Sequence, residues 1–242
     1  MLFDIVIPLG EGDIKKIYNQ INYTKQNIIG YRNIYIVTPL NITIDGCIII
    51  NENIFPFTKE YIKNTIEFKE KSGWYLQQLI KLYSLFVIDG ILDKILVLDA
   101  DTFFLKPTHF IVNNKILLNY GTEHHKSYFS HMNRLHPSLK RVYEDKSGIT
   151  HHCIFDKEII QGLFKLVEDY HKDDFWKIFL NSIDEGHVVS GASEYEIYFN
   201  YCLIYHSEKV ELRYLIFNDV FNKNQNITDF SHFIYYSDHY WL

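Results

Sequence analysis

The chain has 242 residues, 47% of them hydrophobic and 22% charged, with a formal net charge of −6. That length lets one large α/β domain bury roughly 70–75% of the surface its unfolded chain exposes, so folding needs neither a disulfide nor a structural metal. The acidic balance speaks against nucleic acid, whose phosphates demand a Lys/Arg surplus, and the absence of an apolar run of about 18 residues speaks against a membrane-spanning helix.

The N-terminus, Met-Leu-Phe-Asp-Ile-Val-Ile-Pro, lacks a basic leader, and Asp4 and Pro8 break its apolar stretch. It reads as a first strand, Phe3–Leu9, and not as a signal peptide. Ile14–Tyr23 has helical spacing; Asn33–Thr38 and Cys47–Ile50 are two more strands, the first stopped by Pro39. Ser72–Asp89 is the clearest helix, with Ser72 as its expected N-cap and Gly90 beyond its end. Its polar residues Gln77, Lys81 and Ser84 form one narrow stripe. Lys94–Leu98 is a wholly apolar strand after its first residue and runs into Asp99-Ala100-Asp101.

Beyond it, Ile116–Tyr120 and Thr150–Phe155 read as strands flanking a His-rich, irregular stretch from Gly121 to Ser147. Asp156–Tyr170, capped by Asp156, and Phe175–Ile183 read as helices. Ser193–Tyr205 is a third, opened by the capping box Ser193-x-x-Glu196. Val210–Phe217 and Phe233–Tyr236 close the chain as late strands. Strands alternating with helices predict an α/β fold with a mostly parallel central sheet flanked by helices. No repeat, linker or composition shift divides the chain, so residues 1–242 are expected to form one domain. Asp99-Ala100-Asp101 divides it into a half 1–105 and a half 106–242. Cys47, Cys153 and Cys202, without CxxC spacing, read as buried thiols in a reducing compartment. With no leader or membrane segment the expected location is cytoplasmic, and the sequons at Asn22, Asn41 and Asn226 are chance products of an Asn-rich sequence.

Asp99 and Asp101 carry the strongest chemical signal. An apolar strand delivers two carboxylates, at i and i+2, to the edge where open α/β sheets bind ligands. Two carboxylates there are costly to bury unpaired, so a cation or a donor-rich loop must meet them. Oxygen ligands suit Mg²⁺ or Mn²⁺. The competing reading is two turn residues closing a strand. Two enzyme classes place D-x-D after such a strand: GT-A glycosyltransferases and dehalogenase-type phosphotransferases. The second class uses the first Asp, here Asp99, as a nucleophile and carries the motif on its first strand. Here a whole βαβ region precedes Asp99, and Phe103 stands where that class prefers Thr or Val.

The strand ending at Pro8, the run Gly73-Trp74-Tyr75-x-Gln77-Gln78-x-x-Lys81, and Val97-Leu98-Asp99-Ala100-Asp101 together resemble the GT-A glycosyltransferases. The run before D-x-D, with His151-His152-Cys153-Ile154-Phe155 and Ser193-Glu194-Tyr195-Glu196, resembles more narrowly a poorly characterised bacterial and viral glycosyltransferase-like family. The resemblance implies a Rossmann-like GT-A domain that transfers a sugar, hexosyltransferase-like, from a nucleoside diphosphate sugar to the hydroxyl of a glycan or other acceptor. It makes 1–105 the nucleotide-binding half and 106–242 the acceptor half. A UDP-sugar is the expected donor and Mn²⁺ or Mg²⁺ the expected ion. Asp99, Asp101 and a late histidine, His239 before His232, would hold the metal. Pro8 and Leu9 would lie near the base, with Gln77, Lys81, Asp99 and His152 on the rest of the donor. For Lys81 the alternative reading is a solvated helix face. Of His151 and His152 only one can face a cleft, because strand side chains alternate. Glu194, in the first turn of its helix, would be the general base of an inverting enzyme, with Glu196 closing the capping box. Two rivals remain: a dehalogenase-type phosphatase using Asp99, and a non-catalytic sugar-binding protein on the same fold.

Overall fold

The computed structural model describes residues 1–184, 190–220 and 232–239. Its strands are β1 (Phe3–Pro8), β2 (Ile28–Ile29), β3 (Tyr31–Thr38), β4 (Ile48–Asn51), β5 (Lys94–Leu98), β6 (Thr102–Phe104), β7 (Thr108–His109), β8 (Ile111–Val112), β9 (Lys115–Asn119), β10 (His152–Asp156), β11 (Val210–Arg213), β12 (Phe217–Val220) and β13 (Tyr235–Asp238). The α-helices are α1 (Ile14–Asn27), α2 (Lys59–Thr65), α3 (Ser72–Val87), α4 (Lys126–Leu135), α5 (Lys157–His171), α6 (Phe175–Asn181) and α7 (Glu194–Tyr205). Asn226, Tyr240 and Trp241 lie outside the described residues.

Five strands form the central sheet in the order β10-β5-β1-β3-β4. All neighbours are parallel except β10, which runs antiparallel to β5. Every residue of β1 is buried, as a strand covered on both faces requires. Asp4 is tolerated there because Arg32 donates two hydrogen bonds to it (3.0 and 2.6 Å) and the N–H groups of Asn33 and Leu92 donate two more. The chain leaves β1 towards β3 and β4, then returns through α3 to β5 on the other side. The order of connection therefore reverses between β1 and β5, and the crevice outside their carboxyl ends is where such sheets bind ligands.

Helix α3 packs on β1, β5, α5 and α7. A smaller sheet, β12-β13-β6, sits beyond the carboxyl end of β5 and brings the last described residues back to Asp101. The Asp238 N–H donates to the Asp101 carbonyl (2.8 Å), and the Thr102 and Ser237 hydroxyls meet at 2.8 Å.

Four local expectations change. Ser72 is the first residue of α3 and not its cap, because a 3-10 turn, Lys69–Lys71, leads into it. The His-rich segment contains α4, whose Tyr128, His131, Met132 and Leu135 are buried at helical spacing. The expected strand Val210–Phe217 is two strands, because β11 pairs with β9 while β12 pairs with β13 in a different sheet. Glu196 does not close the capping box: Ser193 accepts the Glu196 N–H (3.3 Å), but the Glu196 carboxylate turns away to the Ser147 hydroxyl and the Gly148 N–H, both at 2.7 Å. All three cysteines are free thiols; Cys202 is buried, Cys47 and Cys153 only partly. Among the described residues no helix is long and apolar enough to cross a membrane.

Candidate active site

A cleft of about 680 Å³ opens at the carboxyl ends of β1 and β5, within the range of small-molecule sites. Pro8, Leu9, Gln77, Lys81, Asp99, Asp101, Glu194 and His239, all expected at the site, line it. His152 does not. It is 1% exposed, and its ring packs against Phe104, Phe110 and Tyr235. Burial holds its imidazole well below the ordinary value, which suits a neutral core histidine. His151 lines the cleft instead. It precedes β10 in the left-handed conformation (φ 61°), and its carbonyl accepts the Asp99 N–H at 3.0 Å. His232 is exposed and away from the cleft.

The floor is a buried charge cluster. Lys81 is 2% exposed and pairs with both Asp99 and Glu194, the latter at 2.7 Å. The Tyr195 hydroxyl donates to Asp99 Oδ1 (3.1 Å). Burial pulls the Lys81 ammonium down, but the two carboxylates outweigh it and hold it above its ordinary value. Burial raises Glu194, and Asp99 adds to this against the pull of Lys81. One ammonium between two carboxylates leaves a net negative charge.

Helix α3 builds this floor through residues three apart, which share a face. The Tyr75 hydroxyl accepts the Gly191 N–H (3.2 Å). Gln78 donates to the Ala192 carbonyl (3.3 Å) and accepts the Glu194 N–H (3.1 Å). Lys81 then meets the Glu194 side chain. The Gly-Trp-Tyr-x-Gln-Gln-x-x-Lys run is thus a clamp on the start of α7, while Gln77, half-buried, faces the cleft.

At the other end Asp101, 4% exposed, meets His239: Oδ2 lies 3.1 Å from Nδ1. The second ring nitrogen, Nε2, lies 3.4 Å from Asp219 Oδ1, and His151 Nε2 lies 3.9 Å from that same oxygen. Asp219 Oδ1 is buried without a hydrogen-bond partner. Against burial, Asp101 and Asp219 hold the His239 imidazole up at about 10. Asp13, missed in the sequence, also lines the cleft, and burial followed by the field of Asp101 raises it to about 6. Carboxylates crowded this closely, with an orphaned buried oxygen and imidazole nitrogens beside it, fit a divalent cation. Asp219 and Asp13 carried no local signal; only strand pairing and the turn before α1 bring them in.

Residues 35–241 match a family described as of unknown function (DUF6492). Among curated proteins none matches in sequence. Among solved structures, mouse xyloside xylosyltransferase 1 in its apo form is similar in fold, with a TM-score of 0.50 at 9% identity, covering 99% of this chain and 98% of that one. The similarity shows an α/β architecture shared with a GT-A glycosyltransferase along the whole chain.

Proposed function

The chain belongs to the DUF6492 family, a family of unknown function, and we propose that it is a metal-dependent glycosyltransferase moving a sugar from a nucleoside diphosphate to a hydroxyl acceptor. One observation carries this reading. The Asp99–Asp101 turn stands at the carboxyl ends of β1 and β5, inside the large cleft, with Lys81 and His239 on either side of it. The fold likeness to a xylosyltransferase supports it.

Pro8 and Leu9 receive the nucleotide base at the end of β1, and a uridine diphosphate sugar is the donor we favour. Its diphosphate lies over the Asp99–Asp101 turn, and Gln77 offers an amide to the sugar hydroxyls. Mn²⁺ or Mg²⁺ would be held in the group of Asp101, His239 and Asp219, where it supplies Lewis-acid stabilisation of the leaving diphosphate. Asp99 stays on Lys81 and Tyr195, so it fixes the turn. Glu194 accepts the proton of the acceptor hydroxyl. Burial, with Asp99 against the pull of Lys81, raises its carboxyl above the ordinary value, the direction a general base needs, and Lys81 orients it.

The phosphatase reading asks for a free Asp99 nucleophile on a first strand; here Asp99 follows β5 and is engaged by Lys81 and Tyr195. The test is calorimetry of UDP with and without Mn²⁺, with hydrolysis of UDP-sugars followed in parallel. Mn²⁺-dependent UDP binding with slow donor hydrolysis is the expected result. Release of phosphate from an aryl phosphate would overturn the reading, and donor binding without any turnover would make the chain a sugar-binding protein.

A further inference from the structure

Helix α3 uses two neighbouring faces for two tasks. Tyr75 and Gln78 are buried against the segment that opens α7. Trp74, Gln77 and Lys81, at i, i+3 and i+7, form the adjoining face, and all three line the cleft. Lys81 is closed to solvent at the floor, where it holds Glu194. Gln77 and Trp74, nearer the start of the helix, are only half-buried. A tryptophan kept half in water forgoes part of the burial its large ring offers. The Trp74 ring lies nearly parallel to that of Tyr128 on α4 (28°, centroids 6.4 Å apart) and edge-on to Tyr75 (5.0 Å). Tyr128 lines the cleft too, and α4 packs on α7, the helix that carries Glu194. Two flat rings side by side thus flank the general base, while Glu70, Lys71 and Gln77 line the same cleft with polar groups.

Resting on the transferase reading of this cleft, we infer that Trp74 and Tyr128 form its acceptor subsite and that the acceptor is a saccharide. A sugar ring has an apolar face of C–H groups and a rim of hydroxyls. The C–H face lies on the indole and phenol rings, where weak C–H contacts to the π-face add to the apolar area removed from water. The rim hydroxyls find partners in Gln77, Glu70 and Lys71, and one of them reaches the Glu194 carboxylate. An alkyl alcohol would cover the rings and leave the polar groups without partners. A serine or threonine hydroxyl on a peptide would reach Glu194 and leave the rings uncovered. Only a ligand with one apolar face and a polar rim satisfies both parts of the lining.

The test uses the full chain with UDP and Mg²⁺. The probes are methyl glycopyranosides of the common hexoses and pentoses, decan-1-ol, and an N-acetylated serine amide. Saturation-transfer difference NMR reads which protons of a bound probe touch the protein. In the wild type the ring C–H protons of at least one methyl glycoside are expected to be saturated, with no signal from the alcohol or the serine amide. Trp74→Ala should weaken that glycoside by at least about fivefold, and Trp74→Phe, which keeps a flat ring, should recover most of the loss. Should Trp74→Ala not fold, the wild-type proton pattern and Tyr128→Ala decide. Saturation confined to the methyl group, unchanged glycoside binding in Trp74→Ala, or binding of decanol or the serine amide in place of glycosides overturns the assignment and leaves the transferase reading standing. Weakened UDP binding in Trp74→Ala also overturns it, since Trp74 would then serve the donor. Failure of the wild type to bind UDP removes the transferase reading and the acceptor role with it, while glycoside binding lost in Trp74→Ala would still support a sugar platform.

Discussion

Lys81 Nζ lies 2.7 Å from Glu194 Oε1 in a place closed to solvent, a contact spanning 113 residues of chain. Because the same ammonium also holds Asp99, the D-x-D turn and the start of α7 share one cation. The polar stripe of α3 is therefore neither a solvated face nor a free phosphate ligand at Lys81.

Replacing that cation should show first in stability. Lys81→Met leaves the buried Glu194 carboxylate beside the partly buried Asp99 without their shared cation, and breaking a buried pair costs about 3–5 kcal/mol. Urea unfolding is expected to show a loss of that size, with donor affinity lowered as a consequence. A loss under about 0.5 kcal/mol, as for an exposed lysine, would contradict the buried arrangement.

Glu194→Gln keeps the shape and removes the base. Turnover should fall by roughly 10²–10⁴-fold, the span of general-base catalysis, with UDP affinity nearly unchanged because the lost interaction belongs to the transition state. Steady-state rates beside calorimetry separate the two. Wild-type turnover would reduce Glu194 to a structural partner of Lys81.

Gly148 sits where a side chain has no room. A Cβ there would lie 2.4 Å from Phe199 Cβ and 2.7 Å from the Tyr195 carbonyl oxygen. Gly148→Ala should cost about 2–4 kcal/mol by forced overpacking. Glu196→Gln, a few ångströms away, should cost about 1–3 kcal/mol, because its amide NH₂ must face either the Ser147 and Gly148 donors or the Asn200 amide donor. Chemical denaturation measures both, and a neutral Gly148→Ala would show that the loop can yield.

His131 predicts an acid-sensitive fold. It is fully buried on α4, Nε2 donates to the Phe179 carbonyl (2.8 Å), and burial pulls its imidazole down to about 4. Between the unfolded value of about 6.5 and the folded value of about 4, the unfolded chain binds the extra proton. Stability from this group is whole above about pH 6.5 and is lost as pH falls towards 4, by about 3 kcal/mol at most. His131→Gln retains a donor without titrating, so its stability should fall less steeply over that window. An unchanged slope would place the acid sensitivity elsewhere, with His152 as the other buried candidate.

The sequence by itself determined the local elements. Apolar runs specify strands covered on both faces, as in β5 and, despite Asp4, in β1; helical spacing behind Asp156 specifies α5, and Ser193 marks the start of α7. It also located Asp99 and Asp101 at a ligand-binding edge, since they follow the carboxyl end of a strand and open α/β sheets bind ligands there. Helix α4 is not legible in the sequence, because its histidines and asparagine mask the helical period of Tyr128, Met132 and Leu135. Tertiary structure alone decided who meets whom. Strand alternation says that one of His151 and His152 faces the cleft, but the left-handed turn at His151 chooses which. Glu194 is joined to Lys81 by the packing of α7 on α3, and Asp219 reaches His239 because β12 pairs with β13. Local pattern encodes which face of an element is apolar; the charged contacts of a site form between residues far apart in the chain, and only the packed core brings them within hydrogen-bonding distance.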